Sequence, residues 1–465
     1  MTPAPSSASL RTDGRREAIH PSDVKGRFLT RRRALFAGLM AFYLLLPLLR
    51  VGGHPAVYLD VTARRFYLFG ATFNAQDFWL VLFLATTAGF ALLFATAWLG
   101  RVWCGWACPQ TVFLEGLYRP IERWVDGPRE RRLKMAKAPW TAVRVGRAGV
   151  KHAAYLFVSL AISHVALSFF LSAEQLLAMV REGPAAHPVP FAWAVAVTGL
   201  LHFNYVWFRE QLCVAFCPYG RLQSAMQDDD SLIVGYDVRR GEPRGHLRRP
   251  GVGEAAKVAL PVLGDCVDCN KCVTACPTGI DIRNGLQLEC VACALCADAC
   301  DAVMDKVGRP RGLIRYDSLN GLAGKRRRVL RPRLVVYGAL LLASASALGM
   351  GLLRRSPFEA NLLRFRGAPY VVTDGSVRNQ YELHLVNKHP DAATFRVRVH
   401  TPGKTQVLLP QAEVKLASLE GFRLPLFVTS AKDDYVGPFG FTLEVEDVEA
   451  KEVRSIQARF LGPSY

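Results

Sequence analysis

The sequence predicts a polytopic α-helical membrane protein with five spans, a cysteine-rich α+β insert between the fourth and fifth spans, and an all-β sandwich at the carboxyl end. Three observations carry this reading: five long apolar runs, cysteines confined to compact motifs, and a final stretch of short alternating segments. The 465 residues allow roughly two to four domains. A hydrophobic fraction of 51% with 21% charged residues is too apolar for a purely soluble chain and argues against disorder. The net charge of +19 first suggests nucleic acid or a membrane surface as partner. The twelve cysteines, absent outside four motifs, exclude a secreted disulfide scaffold.

The apolar runs lie near Ala34–Leu49, Phe78–Leu99, Ala153–Phe170, Phe191–Phe208 and Leu334–Leu353, the first being the shortest. Crossing about 30 Å of hydrocarbon takes roughly 20 apolar residues, which these runs approach or supply. No cleavable signal peptide is visible, because a polar, Arg-rich arm precedes the first run. Counted outward from the amino terminus, the segments flanking the first four spans and leading to the fifth carry 8, 3, 11, 1 and 20 Lys plus Arg. That alternation predicts a cytoplasmic amino terminus and an outer, periplasmic carboxyl terminus in a bacterial inner membrane. The resulting divisions are a basic arm (1–33), a four-span region (34–208), a cytoplasmic segment (209–333), a fifth span (334–353) and an outer domain (354–465). The basic residues are thereby topogenic, and nucleic-acid binding is excluded. All twelve cysteines fall on the predicted cytoplasmic side, the reducing compartment that thiolate ligands need.

Between spans four and five, Cys266, Cys269, Cys272 and Cys276 repeat the spacing of Cys290, Cys293, Cys296 and Cys300. Both are C-x2-C-x2-C-x3-C, the pattern of dicluster ferredoxins, so the insert is predicted to be ferredoxin-like and to hold two [4Fe–4S] clusters. The two-residue gaps let a tight turn wrap three thiolates around one cubane, and the three-residue gap sends the fourth to the other. Cys266, Cys269, Cys272 and Cys300 are expected to hold one cluster; Cys290, Cys293, Cys296 and Cys276 the second. Zinc does not need eight thiols in matching quartets. Asp301 stands where a proline often follows the fourth cysteine, which alters the turn and not the ligands.

The other four cysteines form two C-x3-C-P motifs, Cys104/Cys108-Pro109 and Cys213/Cys217-Pro218, after spans two and four. Positions i and i+4 share a helix face, and the residue before proline is biased away from helix, so each helix should end or bend at its second cysteine. Alternate spans put both motifs at one membrane surface, where four sulfurs could meet. Soft sulfur favours Cu(I), zinc or an iron–sulfur cluster; a dithiol–disulfide pair or plain packing of helix ends stay open. His164 and His202, within spans, are expected mainly to make interhelical hydrogen bonds, with metal, quinone or haem contact as the alternative. His152 reads as an interface residue, Met226 as packing with copper as the lesser reading. The Lys325–Arg328 run reads as a membrane anchor and Asp228–Asp230 as a solvated loop or cap.

From Phe358 onward the candidate strands are Phe365–Val372, Gln380–Val386, Thr394–His400, Gln406–Leu409, Phe422–Val428, Phe439–Val445 and Arg454–Phe460. About seven strands in this length predict an immunoglobulin-like sandwich, here without the inter-sheet cysteine pair.

With this order of parts, the chain resembles the CcoG family, also called FixG or RdxA, of accessory proteins for assembly of cbb-type cytochrome c oxidase. The segments Cys276-Pro-Thr-Gly-Ile-Asp-Ile-Arg283, Met304–Tyr316 and Gln380–Lys388 resemble that family's signatures, while the arm up to Lys25 has no dependable counterpart. The resemblance implies reduction of Cu(II) to Cu(I) for delivery to the oxidase, with Cys104, Cys108, Cys213 and Cys217 as the copper-side, catalytic residues. It implies oxidase subunits, a copper chaperone or a copper transporter as partners, besides membrane lipid and an electron donor that the sequence does not identify. Two other readings are weighed against it. A NapH-type membrane quinol dehydrogenase subunit would share the C-x3-C-P and dicluster motifs but lack the fifth span and sandwich. A structural assembly platform would use its clusters only to stabilise the fold.

Overall fold

The structure, a computed structural model, describes residues 19–62, 65–73, 77–246, 263–373, 375–389 and 391–463. The first eighteen residues of the predicted basic arm therefore lie outside the described residues, as does part of the insert's approach, 247–262. The chain divides into two compact units, residues 1–51 with 83–346 and residues 52–82 with 347–465.

Among the described residues four helices are long and apolar enough to cross a membrane: Phe78–Leu99, Ala142–Leu171, Pro188–Phe208 and Pro332–Leu353. They cover four of the five predicted spans, and their composition associates the chain with a membrane. In Phe78–Leu99 and Pro332–Leu353 only 6% of the most apolar window is covered by protein, an apolar exposure of the kind that lipid covers. The first predicted span departs from this pattern. Its residues fall in a helix, Arg27–Leu45, whose first two turns carry Arg27, Arg31, Arg32 and Arg33. The uncharged part is only about twelve residues, on the order of 18 Å at 1.5 Å per residue, short of a bilayer's hydrocarbon.

Polar contacts knit the helices of the first unit together. Ser163 Oγ donates to Ala194 O at 3.3 Å, Tyr43 OH to Ile162 O at 2.9 Å, and Tyr118 OH meets Ser159 Oγ at 2.7 Å. Tyr118 stacks on Tyr205 with centroids 4.5 Å apart, in an aromatic core with Tyr155 and Leu114. The insert packs around a two-stranded ribbon, Ile233–Tyr236 paired antiparallel with Ile314–Asp317. The run Asp228–Asp230, expected to be a solvated loop or cap, caps its own turn through Asp228 and also binds the basic segment that follows the insert. Arg331 pairs with Asp228 at 2.8 Å, and the Asp230 carboxylate accepts the Arg328 N–H at 3.0 Å. Proximity in the fold, invisible in sequence, turned two separate charge runs into one clamp.

The second unit holds a sandwich of nine strands: β1 Phe358–Arg364, β2 Val371–Thr373, β3 Ser376–Asn387, β4 Ala393–His400, β5 Thr405–Leu408, β6 Glu413–Leu416, β7 Gly421–Ala431, β8 Phe439–Asp447 and β9 Val453–Phe460. One sheet runs β5-β7-β3-β1 with β2 also on β3, and the other β6-β4-β8-β9. Strict alternation in β3, β7 and β8 sends Leu383, Leu426 and Leu443 to a dry core with Phe358, Phe395 and Phe460. All seven predicted strands overlap observed ones, but Phe365–Val372 does so only at Val371 and Val372, the start of β2. Residues 365–370 are loop, broken by Gly367 at φ +129° and by Pro369, and the strand signal belongs to Phe358–Arg364 just before. The same unit carries a three-stranded sheet, Val57–Asp60, Arg65–Leu68 and Ala71–Phe73, between the first two predicted spans.

Candidate functional site

The two cysteine quartets fold as a structural repeat. In the first, Asp268 and Asn270 take φ of 48° and 56°; in the second, Ala292 and Ala294, at matching positions, take 52° and 59°. Non-glycine residues in this left-handed region cost energy, on the order of 1–3 kcal/mol each, and hold only where surrounding structure enforces them. Alternating right- and left-handed residues curl the backbone around a common centre, the geometry of an anion-binding nest. Each curl runs into a helix: Lys271–Ala275 ends at Cys276, and Leu295–Val307 carries Cys300 within it.

Two cavities result. One is lined by Cys266, Cys269, Cys272 and Cys300, with Tyr236, Arg283 and Met304. The other is lined by Cys276, Cys290, Cys293 and Cys296, with Cys272 on its border and Pro277 and Ile280 in its wall. Because Cys272 borders both, the cavities are neighbours. Burial pushes the thiols up, Cys272 and Cys293 to about 11 and Cys290 and Cys300 to about 12, with nearby sulfurs adding to the rise in Cys290 and Cys300. Crowded, desolvated sulfurs of this kind become thiolates only beside a cation, so a metal centre would displace their protons. All twelve cysteines are free thiols. Among the described residues no group of three or more His, Cys, Asp or Glu is set to grip a single ion. The residues present thus fit iron–sulfur centres.

Buried charge fixes this insert. Arg283 reaches Asp268 at 2.5 Å, Asn270 Oδ1 at 2.6 Å and Asp281 at 2.7 Å, tying the first curl to the segment after Cys276. Asp298, between Cys296 and Cys300, accepts the N–H groups of Phe28 at 3.1 Å and Leu29 at 2.8 Å, capping the helix Arg27–Leu45. A Cβ on Gly26 would lie 2.3 Å from Asp298 Cγ, so this approach requires glycine.

The C-x3-C-P motifs break their helices as the proline rule predicts. Cys108 and Cys217 have extended backbone, and Pro109 and Pro218 start new helices. Segments of π-helix, Leu114–Tyr118, Asn204–Phe208 and Leu212–Phe216, flank or contain the motifs, an irregularity frequent at functional sites. The fold brings the four sulfurs into mutual range. Burial raises Cys213 to about 12, and Cys108, Cys104 and Cys217 push it further; burial likewise raises Cys104 to about 12, with Cys108 and Cys217 adding to it. Gln223 Oε1 accepts the Cys104 thiol at 3.3 Å.

The first motif lies against the second curl. A Cβ on Gly105 would meet Val291 O at 2.5 Å, and Cys104 packs on the apolar group of Val291, Cys293 and Leu295. Arg101 donates to Leu288 O, to Cys290 O at 3.2 Å and to Gly220 O beyond the second motif. Trp106 Nε1 donates to Tyr316 OH at 2.8 Å, which in turn donates to Ala292 O. Behind the motifs Arg119 bridges Glu115 and Glu210 and donates to Pro277 O at 3.0 Å, while Glu122 joins Arg209 and Arg132. Burial pushes the Glu122 carboxyl up, but the Arg209 guanidinium outweighs it and holds it at about 2.

Sequence reasoning singled out the sulfurs and missed Arg101, Gly105, Trp106 and the Arg119–Glu210 pair. Their only sequence signal is adjacency to the motifs. His152 and His202 stack near one another, ring centroids 5.6 Å apart, while His164 Nδ1 lies 2.9 Å from Leu160 O within its own helix. Met226 is buried and lines neither cysteine cavity.

Comparison with known proteins matches residues 208–319 to a 4Fe–4S dicluster domain, 78–129 to a 4Fe–4S binding domain, and 348–463 to the Ig-like fold at the carboxyl terminus of FixG. The chain is 35% identical to the nitrogen fixation protein FixG of Rhizobium meliloti, over 97% of this chain and 93% of that protein. The chain belongs to the FixG/RdxA family. Proteins RdxB and RdxA of Cereibacter sphaeroides are each 36% identical over 83% of this chain and 82% of theirs. A crystal structure of a FixG-related protein from Vibrio parahaemolyticus covers 23% of this chain and 97% of its own, at 17% identity and a TM-score of 0.21. Membership of the FixG/RdxA family, the apolar helices and the matched 4Fe–4S domains make this a membrane iron–sulfur electron-transfer protein.

Proposed function

We propose that this FixG/RdxA member reduces Cu(II) to Cu(I) at its four C-x3-C-P sulfurs, as an accessory factor for assembly of a cbb-type oxidase. The ligand sets would be Cys266, Cys269, Cys272 and Cys300 for one centre and Cys276, Cys290, Cys293 and Cys296 for the other, matching the two cavity linings. When bound, the two [4Fe–4S] clusters supply one-electron transfer at low potential.

The observation that carries the reading is the packing of Cys104 on the second curl. Arg101, Gly105, Trp106 and Tyr316 hold that curl against the first motif, leaving backbone and apolar side chains between them. The first cavity borders the outside instead, because its Cys269 is exposed. An electron donor would dock there, and the copper substrate would meet the four membrane-end sulfurs. Sulfur suits a soft cuprous ion, which would displace the thiol protons on binding, so capture and reduction favour one another. The charge pattern supports a cytoplasmic side for the clusters and a periplasmic sandwich.

The test uses the full chain in liposomes with its iron centres reduced anaerobically, then supplied with Cu(II). Cuprous ion should form and stay bound, and replacing both cysteine pairs with serine should abolish both. Unchanged reduction and binding in that variant would overturn the proposal. Oxidation of the centres by a quinone analogue without copper would favour the quinol dehydrogenase reading.

A further inference from the structure

A cavity of about 410 Å³ opens between the helices Arg27–Leu45 and Arg119–Asp126, apart from both cysteine cavities. Its lining carries five arginines, Arg32, Arg33, Arg119, Arg123 and Arg132, and two acids, Asp23 and Glu115; Glu210 and Glu122 pair with Arg119 and Arg132 from outside the lining. Three of these arginines are more than nine-tenths buried: Arg32 is 1% exposed, Arg132 7% and Arg119 8%. Each keeps a buried N–H without an acceptor, at Arg32 Nη2, Arg119 Nε and Arg132 Nε.

Arg32 is the most telling. Its Nε donates to Gly105 O at 2.9 Å and its guanidinium lies 5.0 Å over the Phe36 ring, but no carboxylate pairs with it among the described residues. A buried cation left without a counter-charge costs several kcal/mol, so Arg32, unlike the ion-paired Arg119 and Arg132, calls for an anion. Arg33 and the exposed Trp124 line the same cavity, as does Arg123, whose partner Asp23 is 3.1 Å away. Guanidinium forks match phosphate oxygens in pairs, and a phosphate offers more acceptors than a carboxylate for donors converging from two helices.

We propose that this cavity binds a phosphate-bearing ligand, seated on Arg32, Arg119 and Arg132 with Arg33 and Arg123 at its mouth. The chemistry is shared by an anionic lipid headgroup and a soluble phosphate compound. Leu295, between the cysteines of the second quartet, lines the cavity too, so the occupant would lie beside the second iron centre.

The full chain, with its iron centres, is the material for the test. One arm is native mass spectrometry from nanodiscs of phosphatidylglycerol or phosphatidylcholine; the other is calorimetric titration with inorganic pyrophosphate. Selective retention of phosphatidylglycerol assigns a lipid headgroup, and pyrophosphate binding in detergent assigns a soluble ligand. In either case Arg33→Gln with Arg123→Gln should weaken binding by about tenfold, and Arg32→Gln should abolish it. The mouth variant leaves the buried ion pairs in place, so it remains informative if Arg32→Gln does not fold. Absence of both ligands, or binding unchanged in the mouth variant, overturns the proposal.

Discussion

Glu122 shows how single side chains hold the membrane-end site. Its carboxyl, held at about 2 by Arg209 over the cost of burial, starts from 4.5 in the open chain. Because the folded value is the lower one, its stabilisation is complete above 4.5 and is lost as pH falls from there toward 2. The contribution is on the order of 3 kcal/mol. Unfolding of the detergent-solubilised protein should therefore become easier across that acid window, and Glu122→Gln should flatten the dependence. The same variant leaves Arg209 and Arg132 buried without their partner and should cost about 3–5 kcal/mol at neutral pH. Gly105→Ala tests the contact between motif and curl. Its Cβ would face Val291 O at 2.5 Å and Ala292 C at 3.0 Å, backbone atoms that cannot swing aside. A loss of about 1–3 kcal/mol in thermal unfolding is expected, with weakened iron retention by the second quartet.

Helices and loops act here as units that the sequence marks unevenly. The curl-and-helix repeat was legible because ligand chemistry imposes its cysteine spacing, and the breaks at Cys108 and Cys217 because proline forbids the helix before it. Other elements depend on remote partners. The helix Arg27–Leu45 is capped by Asp298, some 270 residues away, an arrangement no local motif records. Asp298→Ala should release the Phe28 and Leu29 N–H groups and cost about 1–3 kcal/mol, read as faster amide exchange in that helix. Its arginines, counted from sequence only for topology, take structural roles: Arg32 donates to Gly105 O, and Arg32 and Arg33 line a cavity. The misplaced first strand of the sandwich has a similar origin. Alternation continues through Phe365–Val372, but Gly367 and Pro369 break it and pass the edge position to Phe358–Arg364, paired with β3.

At the scale of the whole molecule the sharpest prediction concerns crossed ligation. If Cys276 and Cys300 serve opposite centres, Cys269→Ser with Cys300→Ser should remove half the iron, whereas Cys269→Ser with Cys276→Ser should remove nearly all of it. Iron analysis with low-temperature electron paramagnetic resonance separates the outcomes, and the reverse ranking would show uncrossed quartets. The sandwich, with its own core from Phe358 to Phe460, should fold as an isolated fragment without iron, checked by cooperative thermal unfolding. The sequence by itself determined the apolar helices, the paired quartets, the proline breaks and the β character of the carboxyl end. Each of these follows from rules acting within about twenty residues: hydrocarbon thickness, ligand spacing, backbone sterics and strand alternation. Only the tertiary structure decided that Cys104 meets the second curl, that the acidic and basic runs clamp together, and that five arginines share one cavity. Those are contacts between segments more than eighty residues apart. Their energy comes from desolvated charge and close packing, quantities that exist only once the chain has folded.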